Sequence, residues 1–217
     1  MSKVAVVLAG CGVYDGSEIN EAVLTLLSLE QQGASYQCFA PDIDQMHVVN
    51  HLTGEPMAGE RRNVLVEAAR IARGNINDLA TATVSEFDAL IVPGGFGAAK
   101  NLCNFAVAGA DMAVQADFLQ FARAFHQAGK PIGLICIAPV MSAAICGAGA
   151  QCTIGTDVDT ARAIEAMGGK HLNCPVSEAR VDAQRKLVTT PAYMLAGGVA
   201  EAYTGISACV KEVLALV

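Results

Sequence analysis

Cys136 is the residue in this chain best suited to covalent chemistry. It closes the apolar run Ile132-Gly133-Leu134-Ile135 and is followed by Ile137-Ala138-Pro139. Proline suits a first helical position, since it has no N–H to leave unpaired there and its φ already matches the helix. The pattern reads strand, cysteine, helix, with the thiol in the turn at a helix N-terminus. Unpaired backbone N–H groups and the positive end of the helix dipole favour a thiolate at such a place. A buried core cysteine is the alternative for the same apolar run; the strand, the cysteine and the proline-led helix together favour the reactive one.

Two further groups fit around a nucleophilic thiol. Pro93-Gly94-Gly95-Phe96-Gly97 follows another apolar run. Its glycines let backbone N–H groups approach a ligand closely, so Gly94 and Gly95 are candidate oxyanion donors beside the N–H of Ile137. Glu18 and Glu21 lie one turn apart at the start of an expected helix, where the dipole alone also favours acids. Either carboxyl could orient or deprotonate the thiol. Held partly desolvated, it would tend to be protonated, able to hydrogen-bond sulfur or carry a substrate proton.

The elements that position these residues follow from pattern. Residues 4–9 read as a buried strand, 10–16 as its loop, and 17–32 as a helix with Ile19, Val23, Leu26 and Leu27 on its apolar face, ended by Gly33. Residues 35–40 form a second strand, parallel to the first through a right-handed crossover. Strands at 89–92 and 132–136 continue the series, with helices at 63–73, 98–107 and 111–128, a late hairpin at 181–182 and 186–190, and a last helix at 197–216. In such a sheet the loop 10–16, the Gly94–Gly95 loop and the Cys136 turn meet at the carboxyl edge, where open α/β folds bind ligands. Residues 41–61 are a polar insertion rich in Pro, Gly, Asn and His, either functional, a surface excursion or a dimer contact.

Composition narrows the function classes. The chain has 217 residues, of which 53% are hydrophobic and only 16% charged, as expected of one domain whose sheet is covered on both faces. A net charge of −7 without a basic cluster argues against nucleic acid or an anionic membrane as partner. Eight scattered cysteines without CxxC pairs read as reduced thiols of a cytoplasmic protein, and no segment is apolar and long enough for a signal peptide or membrane span. No metal or other cofactor is expected: His47 and His51 are four apart but lack the glutamate of HExxH, and the glycines at 10, 12 and 16 miss the dinucleotide spacing, with Asp15 in the way.

Gly16-Ser17-Glu18-Ile19-Asn20-Glu21, the 93–102 segment, Cys136-Ile137-Ala138-Pro139 and Leu187-Val188-Thr189-Thr190-Pro191 occur in an order that resembles the class I glutamine amidotransferase-like superfamily, including its PfpI branch. More narrowly, the 10–18 segment, Asn50-His51-Leu52-Thr53-Gly54-Glu55 and Thr189-Thr190-Pro191-Ala192-Tyr193-Met194 resemble the ElbB family, also called enhancing lycopene biosynthesis proteins. The resemblance spans essentially the whole chain. It implies one flavodoxin-like α/β domain over residues 1–217, a three-layer sandwich with a mostly parallel central sheet, assembled as a homodimer. It implies Cys136 as nucleophile-elbow cysteine, Glu21 as the glutamate touching it and Glu18 as a supporting acid behind. Thr156-Asp157 stands about where a triad histidine would follow the next strand, so glutamine hydrolysis and proteolysis are not expected. What the resemblance implies instead is a glyoxalase, a lyase needing no glutathione, that converts a small aldehyde, glyoxal, to glycolate, in a protein linked to isoprenoid biosynthesis. The alternative is a non-catalytic protein that uses the same thiol for redox sensing or ligand binding.

Overall fold

Along the first strand, β1 (Lys3–Val7), and just past it, Val4, Val6 and Leu8 pack into one apolar cluster while Ala5, Val7 and Ala9 pack into another. This period-two division places β1 in the middle of a sheet buried on both sides. The computed structural model describes all residues from Met1 to Val217. A seven-stranded sheet runs in the order Arg180–Asp182, Leu187–Thr190, Ile132–Ile135, Ala89–Val92, Lys3–Val7, Ser35–Ala40, Ile76–Asp78. In chain order the remaining strands are β2 (Ser35–Ala40), β3 (Val49–Asn50), β4 (Glu55–Pro56), β5 (Ile76–Asp78), β6 (Ala89–Val92), β7 (Ile132–Ile135), β8 (Gln151–Cys152), β9 (Lys170–His171), β10 (Arg180–Asp182) and β11 (Leu187–Thr190). Only edge strand β10 pairs antiparallel within this sheet.

The helices α1 (Ile19–Gln31), α2 (Val64–Ile71), α3 (Phe96–Lys100), α4 (Phe105–Ala108), α5 (Ala116–Gln127), α6 (Ser142–Cys146), α7 (Val158–Ala166) and α8 (Val199–Ala215) make the outer layers. α1, α2 and α8 cover the face of Val4, Val6 and Ile91. α3, α5, α6 and α7 cover the face of Val7, Val92 and Leu134. On α5, Phe118, Phe121, Ala122 and Phe125 recur at helical spacing and turn inward. The result is the expected flavodoxin-like three-layer α/β sandwich. No helix is long and apolar enough to cross a membrane.

Several sequence expectations need correction. The first helix buries Ala22, Leu24, Leu26 and Leu29, while Ile19, Val23 and Leu27 stand 45%, 47% and 40% exposed. The apolar residues of this helix form two stripes, and reading them as one mixes the inward and outward faces. The helix expected at 98–107 is two short helices, α3 and α4, separated at Asn101 to Asn104. The sequence reading places no element at β5 or α7, although α7 carries an Asp157 N-cap and a glycine of positive φ, Gly168, past its end. The polar insertion at 41–61 carries the β3–β4 hairpin and folds over the loop at 10–16. There the buried Asp15 carboxylate accepts the Val49 N–H at 2.8 Å, and His51 Nε2 accepts the Tyr14 N–H at 3.2 Å.

Candidate functional site

Strands β6 and β7 are parallel neighbours, so the segments leaving their carboxyl ends, Pro93-Gly94-Gly95 and Cys136, lie side by side. Cys136 has φ +63°, the left-handed region that costs a non-glycine residue about 1–3 kcal/mol. The turn is held from both sides. The Cys136 N–H donates to Thr190 O at 2.9 Å, and a proline-led 3-10 turn, Ala138–Met141, follows directly and runs into α6. This strained strand-to-helix turn has the geometry of a nucleophile elbow.

Glu21 is fully buried beneath the sulfur. Its Oε2 accepts the Gly94 N–H at 3.0 Å, its Oε1 accepts the Tyr193 N–H at 3.1 Å, and the carboxyl lies beside the Cys136 side chain across Gly94. Burial pushes the Glu21 carboxyl up to about 7, against the pull of those two N–H donors. Burial also pushes the Cys136 thiol well above the usual thiol range, and the negative charge of Glu21 adds to the rise, while the N–H groups of Gly95 and Ile137 act the other way on the sulfur. Two acids in contact titrate as a pair. Once the first proton leaves near pH 7, a single proton remains between sulfur and carboxyl, and moving it onto Glu21 creates the thiolate.

This corrects the expectation of a thiolate favoured by a helix dipole. The helix after Cys136 is only a 3-10 turn followed by one short α-turn, so little macrodipole accumulates. Individual N–H groups and a neighbouring acid take its place.

Glu18 is the N-cap of α1: its Oε2 accepts the Glu21 N–H at 2.6 Å, and its own N–H donates to Gly94 O at 3.0 Å. It also lines the open cleft beside Cys136, and burial raises its carboxyl above the usual range. Glu18 therefore faces the cleft while Glu21 lies under the thiol, the reverse of a supporting acid hidden behind the first. Gly94 belongs to the site but not as an oxyanion donor, because its N–H is spent on Glu21. A Cβ there would lie 2.4 Å from Cys136 Cβ and 2.7 Å from Glu21 Oε2, so only glycine lets the acid and thiol meet. Gly95, at φ +92°, and Ile137 keep their N–H groups at the sulfur.

The cleft that Cys136 opens into has a volume of about 550 Å³, and ten of its fifteen lining residues are hydrophobic. The sequence reading missed three of its parts. Tyr193 supplies a backbone donor to Glu21 and lines the cleft. Thr160, at the start of α7, lines the cleft beside Asp157, the residue the sequence places about where a triad histidine would stand, and of the two only Thr160 escaped notice. An apolar wall from α3 and α4 completes it. Tyr193 lies in the quoted 189–194 motif and was open to notice; the other two depend on how α4 and α7 fold over the sheet edge. No histidine lines the cleft: His171 faces a separate cavity, where its Nε2 accepts the Ile154 N–H at 3.2 Å.

No family model matches the chain. It is 50% identical to the human protein named "Glutamine amidotransferase-like class 1 domain-containing protein 3, mitochondrial", over 99% of this chain and 83% of that one. A crystal structure from Ehrlichia chaffeensis, titled an isoprenoid biosynthesis protein with amidotransferase-like domain, superposes with TM-score 0.93 at 39% identity, covering 100% of this chain and 99% of that one. Drosophila melanogaster DJ-1beta, at 16% identity and TM-score 0.55 over 100% of this chain and 96% of that one, shares the fold. The human relative and its rat and zebrafish counterparts are named mitochondrial proteins, which overturns the cytoplasmic placement expected from free cysteines. Unpaired thiols report reducing surroundings and do not name a compartment. The strained cysteine, the acid beneath it and half-identity along nearly the whole chain agree: this protein belongs to the class I glutamine amidotransferase-like family, on the DJ-1/PfpI fold.

Proposed function

We propose that this protein is a cofactor-independent glyoxalase of the ElbB type, converting glyoxal to glycolate with Cys136 as nucleophile. The observation that carries the reading is the Cys136–Glu21 pair, a thiol in a strained turn beside a buried carboxyl that holds a proton up to about pH 7. With the shared proton on Glu21, the thiolate adds to one aldehyde carbon and the new alkoxide takes that proton, giving a hemithioacetal and leaving Glu21 as a carboxylate. The N–H groups of Gly95 and Ile137 stabilise the charge on oxygen as it develops. A carboxylate then removes the hydrogen of that carbon as a proton, and the neighbouring carbon is protonated in turn. One carbon is thereby oxidised and the other reduced, leaving a glycolyl thioester on Cys136. Water cleaves its C–S bond, releasing glycolate and restoring the thiol, so no external oxidant or reductant is consumed. Glu21 is our choice for the proton transfer, with Glu18 on the cleft side able to receive a proton from water.

A homodimer is part of this proposal. The exposed residues Ile19, Val23 and Leu27 form an apolar stripe along α1 that a second copy would cover. The alternative, a redox-sensing thiol, has support in the same pair: a sulfinate at Cys136 would accept hydrogen bonds from protonated Glu21 and from the two N–H groups. Steady-state conversion of glyoxal to glycolate by the wild type and Cys136→Ser, without metal or cofactor, separates the readings. Saturable turnover lost in the variant supports the enzyme. Wild-type consumption that stops after one equivalent, with selective peroxide oxidation of Cys136, supports the sensor.

A further inference from the structure

The segment that offers the Gly95 N–H to the Cys136 site is joined to the chain leaving β1. The N–H groups of Phe96 and Gly97 donate to Val13 O and Gly16 O, each at 2.8 Å, and the Glu18 N–H donates back to Gly94 O at 3.0 Å. There is no slack between the two segments: a Cβ on Gly95 would lie 2.3 Å from Glu18 N, and one on Gly97 would lie 2.4 Å from Gly16 C. Any movement of residues 10–18 therefore carries the Gly95 N–H with it.

Residues 10–16 form neither helix nor strand, and three of the seven are glycine, so the loop cannot hold itself rigid. The 41–61 insertion and α3 hold it from outside. The Asp15 carboxylate is only 3% exposed, and its Oδ2 accepts the Val49 N–H across 34 positions of chain. His51 grips the next residue: its Nε2 accepts the Tyr14 N–H, so in the neutral ring Nδ1 carries the proton and donates to Val49 O at 3.1 Å. Asn101, at the end of α3, donates to Ala9 O and Asp15 O at 2.9 Å and accepts the Met46 N–H at 3.0 Å, while Lys100 Nζ donates to Tyr14 O at 2.8 Å. A buried carboxylate is costly unless its hydrogen bonds are made, and this one is committed to joining the insertion to the loop.

We infer that Asp15, assisted by His51, is a positioning residue for the Cys136 site: it docks the 41–61 insertion on the loop at 10–16, and this contact holds the Gly95 N–H in place beside the sulfur. The inference rests on the reading of Cys136 as the working nucleophile and assigns the insertion a role in that site. Asp15 acts through backbone, so what matters is that it accepts the Val49 N–H; its charge does not matter.

The test follows alkylation of Cys136 by iodoacetamide from pH 5.5 to 9.5, resolved from the other thiols by peptide mapping, together with thermal melts and glyoxal kinetics. The variants are Asp15→Ala, Asp15→Asn, His51→Ala and Phe125→Leu. Phe125 lies beside the start of β7, whereas Cys136 follows its end, so Phe125→Leu loosens the core away from the site. Asp15→Ala is expected to slow alkylation at pH 7 by on the order of tenfold and to move the midpoint up by about one pH unit, the scale of one hydrogen bond to a charged atom. Its kcat for glyoxal should fall by a similar factor with KM little changed. His51→Ala should shift the midpoint the same way by less. Asp15→Asn, which keeps an acceptor and removes only the charge, should restore the wild-type midpoint, and Phe125→Leu should melt lower without moving it.

A wild-type midpoint in Asp15→Ala, an equal shift in Phe125→Leu, or no rescue by Asp15→Asn overturns the inference. If Asp15→Ala does not fold, His51→Ala decides, because that side chain is 38% exposed and its loss leaves the core intact; an unmoved midpoint there overturns the inference. Cysteine-dependent glyoxal turnover with kcat and midpoint unchanged in Asp15→Ala overturns the positioning role and leaves the glyoxalase reading standing. No glyoxal turnover by the wild type, with the midpoint shifted in Asp15→Ala and restored in Asp15→Asn, overturns the glyoxalase reading and leaves the positioning role standing.

Discussion

Replacing Glu21 by glutamine should change how stability depends on pH, and the structure sets both sign and size. Folded Glu21 keeps its proton up to about pH 7, whereas unfolded it releases the proton near 4.5. Between these values the unfolded chain binds fewer protons than the folded one, so rising pH favours unfolding. The stabilising contribution is complete below about pH 4.5 and is lost as pH climbs through 7. At 1.36 kcal/mol per pH unit the full loss is roughly 3 kcal/mol. Glutamine has no proton to lose, so it removes this dependence. It also has a fixed cost, because both side-chain oxygens of Glu21 accept backbone N–H groups and an amide can satisfy only one, leaving an unpaired donor at about 1–3 kcal/mol. Urea unfolding of wild type and Glu21→Gln from pH 5 to 8.5 isolates the effect from other titrating groups. The wild type should be more stable at pH 5, with its advantage shrinking by roughly 2–3 kcal/mol and closing or reversing by pH 8.5. An advantage that stays constant across that range refutes the account of the buried pair.

The same pair governs activity. Wild-type kcat/KM for glyoxal should rise through about pH 7 as the first proton leaves, and Glu21→Gln should lose that inflection together with about 10²–10⁴-fold in rate. Gly94→Ala should be destabilised by about 1–3 kcal/mol or more in thermal melts and lose turnover, since its Cβ would strike Cys136, Glu21 and the Ile135 carbonyl at once; near-wild-type stability would show that the glycine's closeness is not required. Cys136→Gly should be more stable than Cys136→Ala by about 1 kcal/mol, because only alanine keeps the left-handed strain, and equal stability of the two would mean that the elbow is unstrained. Val23→Glu should shift sedimentation from dimer to monomer if the exposed α1 stripe is the subunit interface, with no shift pointing to another surface.

Much of this arrangement was written locally. The strands ending at Val92 and Ile135 are short apolar runs that stop at Pro93 and Cys136, and parallel order follows from the crossover rule, so the meeting of the glycine loop and the cysteine could be read from the chain. Glu21 was one of two acids at helical spacing, and only the family resemblance singled it out. What remained hidden depends on long-range placement. The N–H of Gly94 is directed to Glu21 by how α1 docks against the loop, a relation across 73 positions. The raised affinity of Glu21 and of the Cys136 thiol for protons comes from burial, which no spacing rule supplies. The cleft wall comes from α3 and α4, whose break the apolar periodicity ran straight through.

The most direct measurement of the central claim is rapid-quench intact mass spectrometry of the wild type mixed with glyoxal, with peptide mapping of any adduct and parallel detection of glycolate. The account predicts an adduct of one glyoxal on Cys136 that forms before glycolate appears and decays at the rate of turnover. Adducts confined to lysine and arginine side chains, or a Cys136 adduct that persists without releasing glycolate, would contradict it.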